Sequence, residues 1–204
     1  ISDAENIGEM VPAPILRRFL AAAREGRDPQ VPGIGITTQP LENEALRAHL
    51  DMAPRHSGVL ITAVQFGSSA WGRLEAGDVL MELDGLRIAD NGTVRYRSRH
   101  RCQFDAVIGD HRCGDVVVAR VLRRGQPSTV RMTMQPMAWL VPRTEFDRRP
   151  MWFLFGGLVF QRLTAEFLRN WGDNWWDKAP KELLHLYYSG LRKPEQQEVV
   201  VLAH

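Results

Sequence analysis

Apolar positions along this chain fall into short runs cut by glycine and proline, with helical spacing in only a few places. Ile15, Leu16, Phe19 and Leu20 recur at i, i+1, i+4 and i+5 and predict a helix over 15–24, opened by Pro14 and ended by Gly26. Residues 27–32 read as a linker by composition. Gly33-Ile34-Gly35-Ile36-Thr37-Thr38 is a glycine-flexed lead into a strand. A short helix is expected over 44–50 with Asn43 in the capping position, and a buried strand over 58–64. Ser68-Ser69-Ala70-Trp71 starts a helical turn that closes near Gly77, ahead of a strand over 79–83. Asp84-Gly85 is a two-residue hairpin signal, because both central positions need positive φ, and Leu86-Arg87-Ile88 returns from it. A short helix over 104–108 and a second hairpin, 115–122 with 129–134 around Arg124-Gly125, complete this part. Many short strands with two small helices predict a compact α+β barrel or sandwich.

A composition break at 139–150, rich in proline and arginine, reads as an inter-domain linker. The chain then turns aromatic. Phe155-Gly156-Gly157-Leu158-Val159-Phe160 echoes the glycine-led pattern at Gly33, helices are expected over 164–170 and 180–188, and 199–202 is an apolar strand. Two glycine-led strands, each followed by a helix and a strand, suggest a duplicated unit with a truncated second copy.

With 204 residues, 44% hydrophobic and 25% charged, the composition is that of a globular protein with room for one full domain and a smaller one. A net charge of +2 gives no bias toward nucleic acid, and no apolar run is long enough to span a bilayer, so neither nucleic acid nor membrane is expected as a partner. Cys102 and Cys113 have no metal-ligand spacing and read as free thiols in a reducing compartment; no metal and no cofactor are expected. The chain starts at Ile1 without a signal-peptide pattern and reads as a piece of a longer polypeptide; its cellular address is not legible from it, an intracellular one, organelle or nucleus, being favoured. No Ser/His/Asp arrangement is present, and Ser68 and Ser69 sit in a turn rather than a nucleophile elbow, so no catalytic residue is assigned. Arg95, Arg97, Arg99 and Arg101 would share one face if extended, either as a contact for an acidic partner, as an anchoring contact to a neighbouring module, or as a solvated or intramolecularly paired face. Trp171, Trp175, Trp176, Tyr187 and Tyr188 read as core or as an oligomer contact.

Four segments together resemble the PDZ domain of Deg/HtrA serine proteases. They are Gly33-Ile34-Gly35-Ile36; Gly58-Val59-Leu60-Ile61-Thr62 running to Gly67-Ser68-Ser69-Ala70; Leu74-Glu75-Ala76-Gly77-Asp78-Val79-Leu80-Met81-Glu82-Leu83-Asp84-Gly85; and Gly114-Asp115 through Arg124-Gly125. The third is the most specific. Residues 4–20 resemble the exit from the protease barrel, and residues 88–94 and 152–160 are similar to the plant and algal branch. The resemblance implies a PDZ-like β-barrel or sandwich with two short helices, followed by a truncated second PDZ-like module. The implied map is 1–30, end of a protease domain and linker helix; 31–138, first PDZ domain; 139–150, linker; 151–204, partial second domain. The glycine-flanked nucleophilic serine of the protease is absent, so the parent's catalytic triad would lie upstream.

The implied role is non-catalytic: binding peptide or unfolded-protein segments by β-augmentation and regulating or assembling an ATP-independent serine endopeptidase. Homo-oligomerisation through PDZ contacts is implied by the resemblance alone. Gly33 and Gly35 would turn the backbone toward a peptide carboxylate, Ile34 and Ile36 would line an apolar pocket, and Thr37 and Thr38 would offer the strand edge. Phe104, Val107 and Ile108 would form the opposite wall. The other reading stays open here: a non-enzymatic scaffold or oligomerisation module whose groove is filled by its own residues.

Overall fold

The computed structural model describes residues 11, 13–26, 30–96, 100–143, 149–190, 192 and 197–203. The described residues form two units, one from residues up to 64 with 68–137, the other from 65–67 with residues from 138 onward.

The first unit contains α1 (Ala13–Arg24), β1 (Pro32–Gly33), β2 (Ile36–Pro40), α2 (Glu44–His49), β3 (Val59–Val64), β4 (Val79–Leu83), β5 (Leu86–Arg87), β6 (Thr93–Tyr96), β7 (His100–Gln103), α3 (Asp105–Ile108), β8 (Val116–Arg123), β9 (Gln126–Thr133) and β10 (Gln135–Pro136). Its main sheet runs β2-β3-β4-β8-β9, with β5 added on β4; β1 pairs with β10 and β6 with β7 as separate ribbons. The α+β architecture of short strands with small helices agrees with the expectation, but the sheet does not close into a barrel. Gly35, at φ +72°, breaks the chain between β1 and β2, so β1 pairs with β10 instead of extending the main sheet.

Period-2 alternation decides what each face carries. Leu80 opposes Val121 and both are fully buried in the main core with Ile61, Leu83, Val117 and Met132. Their neighbours Val79 and Leu122, also opposed, point to the other face and pack with Leu41 beside α2. Asn43 caps α2 by accepting from the Leu46 N–H at 3.1 Å. The hairpin turns at Asp84-Gly85 (φ 48° and 76°) and Arg124-Gly125 (φ 50° and 74°) have the positive-φ pair that their sequences predict.

Asp78, the acid that follows Gly77, is buried and held by Arg123, whose Nε donates to Oδ1 at 2.8 Å and whose Nη2 donates to Oδ2 at 2.7 Å. The Glu75 N–H donates to Oδ2 at 3.0 Å. The hydrogen bond to Asp78 raises the Arg123 pKa, burial opposing it and the charges of Asp78 and Glu75 adding to it. A buried carboxylate is tolerated only with such partners.

Residues 68–77 form successive hydrogen-bonded turns, among them the expected helical turn in which the Leu74 N–H donates to the Ala70 carbonyl at 2.9 Å. One local expectation differs. Arg95 and Arg101 lie on two strands and face each other across the β6–β7 pair instead of following one another along one strand; Arg97 and Arg99 lie outside the described residues. Pairing between Thr93–Tyr96 and His100–Gln103 satisfies main-chain groups that a lone strand would leave to water.

The second unit contains β11 (Trp152–Phe155), β12 (Leu158–Arg162), α4 (Ala165–Leu168), a 3-10 turn (Arg169–Trp171), α5 (Trp175–Lys178), α6 (Lys181–Ser189) and β13 (Val200–Leu202), with sheet order β11-β12-β13. Val141, Leu163, Leu168 and Ala179 are its buried core. Val141 thus draws part of the stretch 139–150, expected as a linker, into this core. Trp175 meets Tyr187 edge-on at 5.3 Å between centroids and Trp171 packs on the same core, whereas Trp176 and Tyr188 are exposed. Among the described residues no helix is long and apolar enough to cross a membrane.

Candidate functional site

The glycine corner at residues 33–36 is set from behind by the serine turn. Ser69 Oγ donates to the Gly33 carbonyl at 2.7 Å, the Ala70 N–H donates to the Ile34 carbonyl at 3.1 Å, and Ser68 Oγ donates to the Gly35 carbonyl at 3.4 Å. Ser69 Oγ also accepts from the Gln135 N–H at 2.8 Å, tying the corner to β10. Three successive carbonyls therefore point toward the buried turn. In a trans peptide the following N–H points the opposite way, so the N–H groups of Ile34, Gly35 and Ile36 are directed away from the serines. Among the described residues the N–H groups of Ile34 and Gly35 donate to no other main-chain group.

Glycine is required here for two distinct reasons. Gly35 sits at φ +72°, where a side chain costs about 1–2 kcal/mol. A Cβ on Gly33 would run into the Met137 side chain.

β2 continues from the corner. It pairs with β3 on one side, and among the described residues no strand lies on its other side. Thr37 is exposed and Thr38 half-buried on this edge, and a register shift falls between them. A strand edge without a partner can accept an extended chain through main-chain hydrogen bonds.

The apolar residues expected to line the pocket gather in one place, but inward. Ile34, Phe104, Val107 and Ile108 are all buried members of the main core, only 4–6% exposed, with Ile36 partly buried against them. α3 is one turn long, and the chain after it is held by α1: Arg18 Nη1 donates to the carbonyls of Gly109 at 2.9 Å and His111 at 3.2 Å. His111 in turn lies 2.7 Å, Nε2 to Oδ2, from Asp84 in the first hairpin turn. Arg18 was not singled out from the sequence. Ser68 and Ser69 were read as turn residues, and nothing local says that they hold a segment about 35 positions earlier. Among the described residues no group of three or more His, Cys, Asp or Glu side chains is placed to hold a metal ion.

Residues 141–204 match the PDZ domain family, a span that begins where the second core begins. Protease Do-like 4, mitochondrial, of Arabidopsis thaliana is 31% identical over 166 residues, 81% of this chain and 32% of that protein. Protease Do-like 2, chloroplastic, of the same plant is 34% identical over 167 residues, 81% of this chain and 27% of that protein. The chain thus spans about a third of the length of the curated relatives it matches. Among solved structures, an HtrA-type protease AlgW with decapeptide shares 21% identity, covering 67% of this chain and 40% of that one at a TM-score of 0.45.

Proposed function

From the premise that this chain is the PDZ-bearing region of the Deg/HtrA-like protease family, we propose that its first unit binds peptide or unfolded-protein segments by β-augmentation along β2. The observation that carries this reading is the corner. Three carbonyls are fastened to Ser69, Ala70 and Ser68, so the N–H groups of Ile34, Gly35 and Ile36 are directed away from that turn, at the start of a strand whose other edge is unpaired among the described residues. Such a nest suits a peptide carboxylate. Ile36 offers the half-buried apolar contact for the last peptide side chain, and burying one such side chain contributes ~1.5–3 kcal/mol, so micromolar affinity is the expectation.

In the parent polypeptide this region would position substrate for, regulate or assemble an ATP-independent serine endopeptidase whose triad lies outside this chain. The second unit would serve as a further PDZ-like module, and subunit contacts would run through the PDZ units. The mitochondrial and chloroplastic names of the relatives support an organellar address. No nucleic-acid or membrane partner is included.

One observation favours a second reading. Phe104, Val107 and Ile108 are consumed by the core, which suits a closed groove in a scaffold or oligomerisation module. Titration with peptides ending in apolar residues separates the two. Saturable shifts of the Ile34, Gly35 and Thr37 amides, abolished by amidating the peptide end, support peptide capture. Absence of binding at millimolar peptide leaves the assembly role.

A further inference from the structure

A row of charged side chains crosses the main sheet well away from the β2 edge. Register sets it: Glu82 on β4 lies opposite Arg87 on β5 and opposite Arg120 on β8. Directly opposed residues put their side chains on one face. Arg120 Nη1 lies 3.4 Å from Glu82 Oε2. Arg87 is held in place by the loop before β3: its Nε donates to Ser57 Oγ at 3.0 Å and its Nη2 donates to the Arg55 carbonyl. Ser57 Oγ donates onward to the Ile88 carbonyl at 2.8 Å.

These side chains, with Arg55, His56, Met81 and Pro127, line a cavity of about 380 Å³. That volume falls in the range of small-molecule sites. The lining residues include three arginines (Arg55, Arg87 and Arg120) and one carboxylate (Glu82), an excess of two positive charges. His56 Nδ1 is buried and has no hydrogen-bond partner among the described residues. One wall is apolar, from Met81 and Pro127.

We propose that this cavity binds a phosphate monoester. A phosphate group carries about −1.5 to −2 charge at neutral pH, which matches the excess, and guanidinium forks suit its oxygens. The organic part of the ester lies against Met81 and Pro127. The site is independent of the peptide reading, because β3 separates the β4, β5 and β8 row from the β2 edge. The free ester of a small molecule and a phosphorylated side chain of a partner present the same chemistry.

The test is a titration of the full chain, 15N-labelled at arginine and observed at the Nε–Hε groups by NMR. The probes are inorganic phosphate, phenyl phosphate and a phosphotyrosine peptide. Saturable shifts at Arg55, Arg87 and Arg120, tighter for phenyl phosphate than for inorganic phosphate, are expected. Arg120→Gln weakens binding about tenfold, the scale of one charge-assisted hydrogen bond. Glu82→Gln strengthens it about threefold by removing the competing carboxylate. Arg95→Gln, exposed on β6, leaves it unchanged. A peptide that binds more tightly than phenyl phosphate assigns the phosphate to a partner chain, and equal or weaker binding assigns it to a small ester. Shifts that grow linearly and spread over all arginines, or equal losses in Arg120→Gln and Arg95→Gln, overturn the site.

Discussion

Each unit leads into a strand through a glycine pair, and the two pairs do different work. In the first, Gly33 and Gly35 turn the chain between β1 and β2, and Ile34 between them is 6% exposed in the main core. In the second, Gly156 and Gly157 both have positive φ, 59° and 84°, and close a two-residue hairpin between β11 and β12. There Trp152, Phe153, Leu154 and Phe155 are 57–70% exposed. The two patterns look alike in sequence. The difference lies behind them: Ser68, Ser69 and Ala70 hold the first corner by its carbonyls, whereas a Cβ placed on Gly156 or Gly157 would meet nothing within 4 Å. A glycine motif becomes a binding corner only when another segment fixes its peptide planes.

The contrast can be broken most forcefully at the apolar side chains. Ile34→Ala is expected to destabilise the first unit by about 3 kcal/mol, whereas Phe153→Ser changes the stability of the second by about 0.5 kcal/mol or less. Urea unfolding followed by residue-resolved amide exchange in each sheet measures both. A loss at Phe153 equal to that at Ile34 would remove the distinction.

Next in size is the fastening of the corner. Ser69→Ala leaves the Gly33 carbonyl and the Gln135 N–H without their hydroxyl partner and should cost about 2 kcal/mol. It should also weaken peptide binding more than it lowers stability at working temperature, because the released peptide planes no longer hold their N–H groups away from the serine turn. Calorimetric titration beside thermal melting tests the pair of effects.

Gly156→Asn comes third. Asn-Gly is a preferred pair for this turn and restricts the unfolded chain, so the second unit is expected to keep or gain a few tenths of a kcal/mol. Gly33→Ala, by contrast, must displace Met137 and should lose stability in the same assay.

The smallest effect is at Asp105, the first residue of α3, beside the expected groove wall. Partial burial pushes its carboxyl above the usual carboxylate range. The folded state therefore holds this proton more tightly than the unfolded chain does. That contribution is present in acid and is lost as pH rises through the raised folded value. Asp105→Asn should raise the urea midpoint slightly near neutral pH, with the gain vanishing below the carboxylate range. A gain independent of pH would show that the carboxyl is not shielded.

Much of the first unit was legible along the chain. The turns at Asp84-Gly85 and Arg124-Gly125, the Asn43 cap and the strand Val79–Leu83 all depend on residues within a few positions of one another. The Gly156-Gly157 hairpin carried a readable Gly-Gly signal that the likeness to Gly33 masked. The candidate site was legible only as a corner and an edge. That Phe104, Val107 and Ile108 turn into the core, and that Arg18 anchors the chain after α3, depends on contacts spanning up to about 90 positions.

By itself the sequence determined the local grammar: which residues turn, which alternate and which cap, because φ preferences and side-chain periodicity act over one to four positions. Tertiary structure decided which glycine pair has its carbonyls fastened, which strand edge stays unpaired, and which charged row meets across β4, β5 and β8. Each of these is a pairing between distant segments, and the free energy that selects it comes from burying both partners together, which neither segment encodes alone.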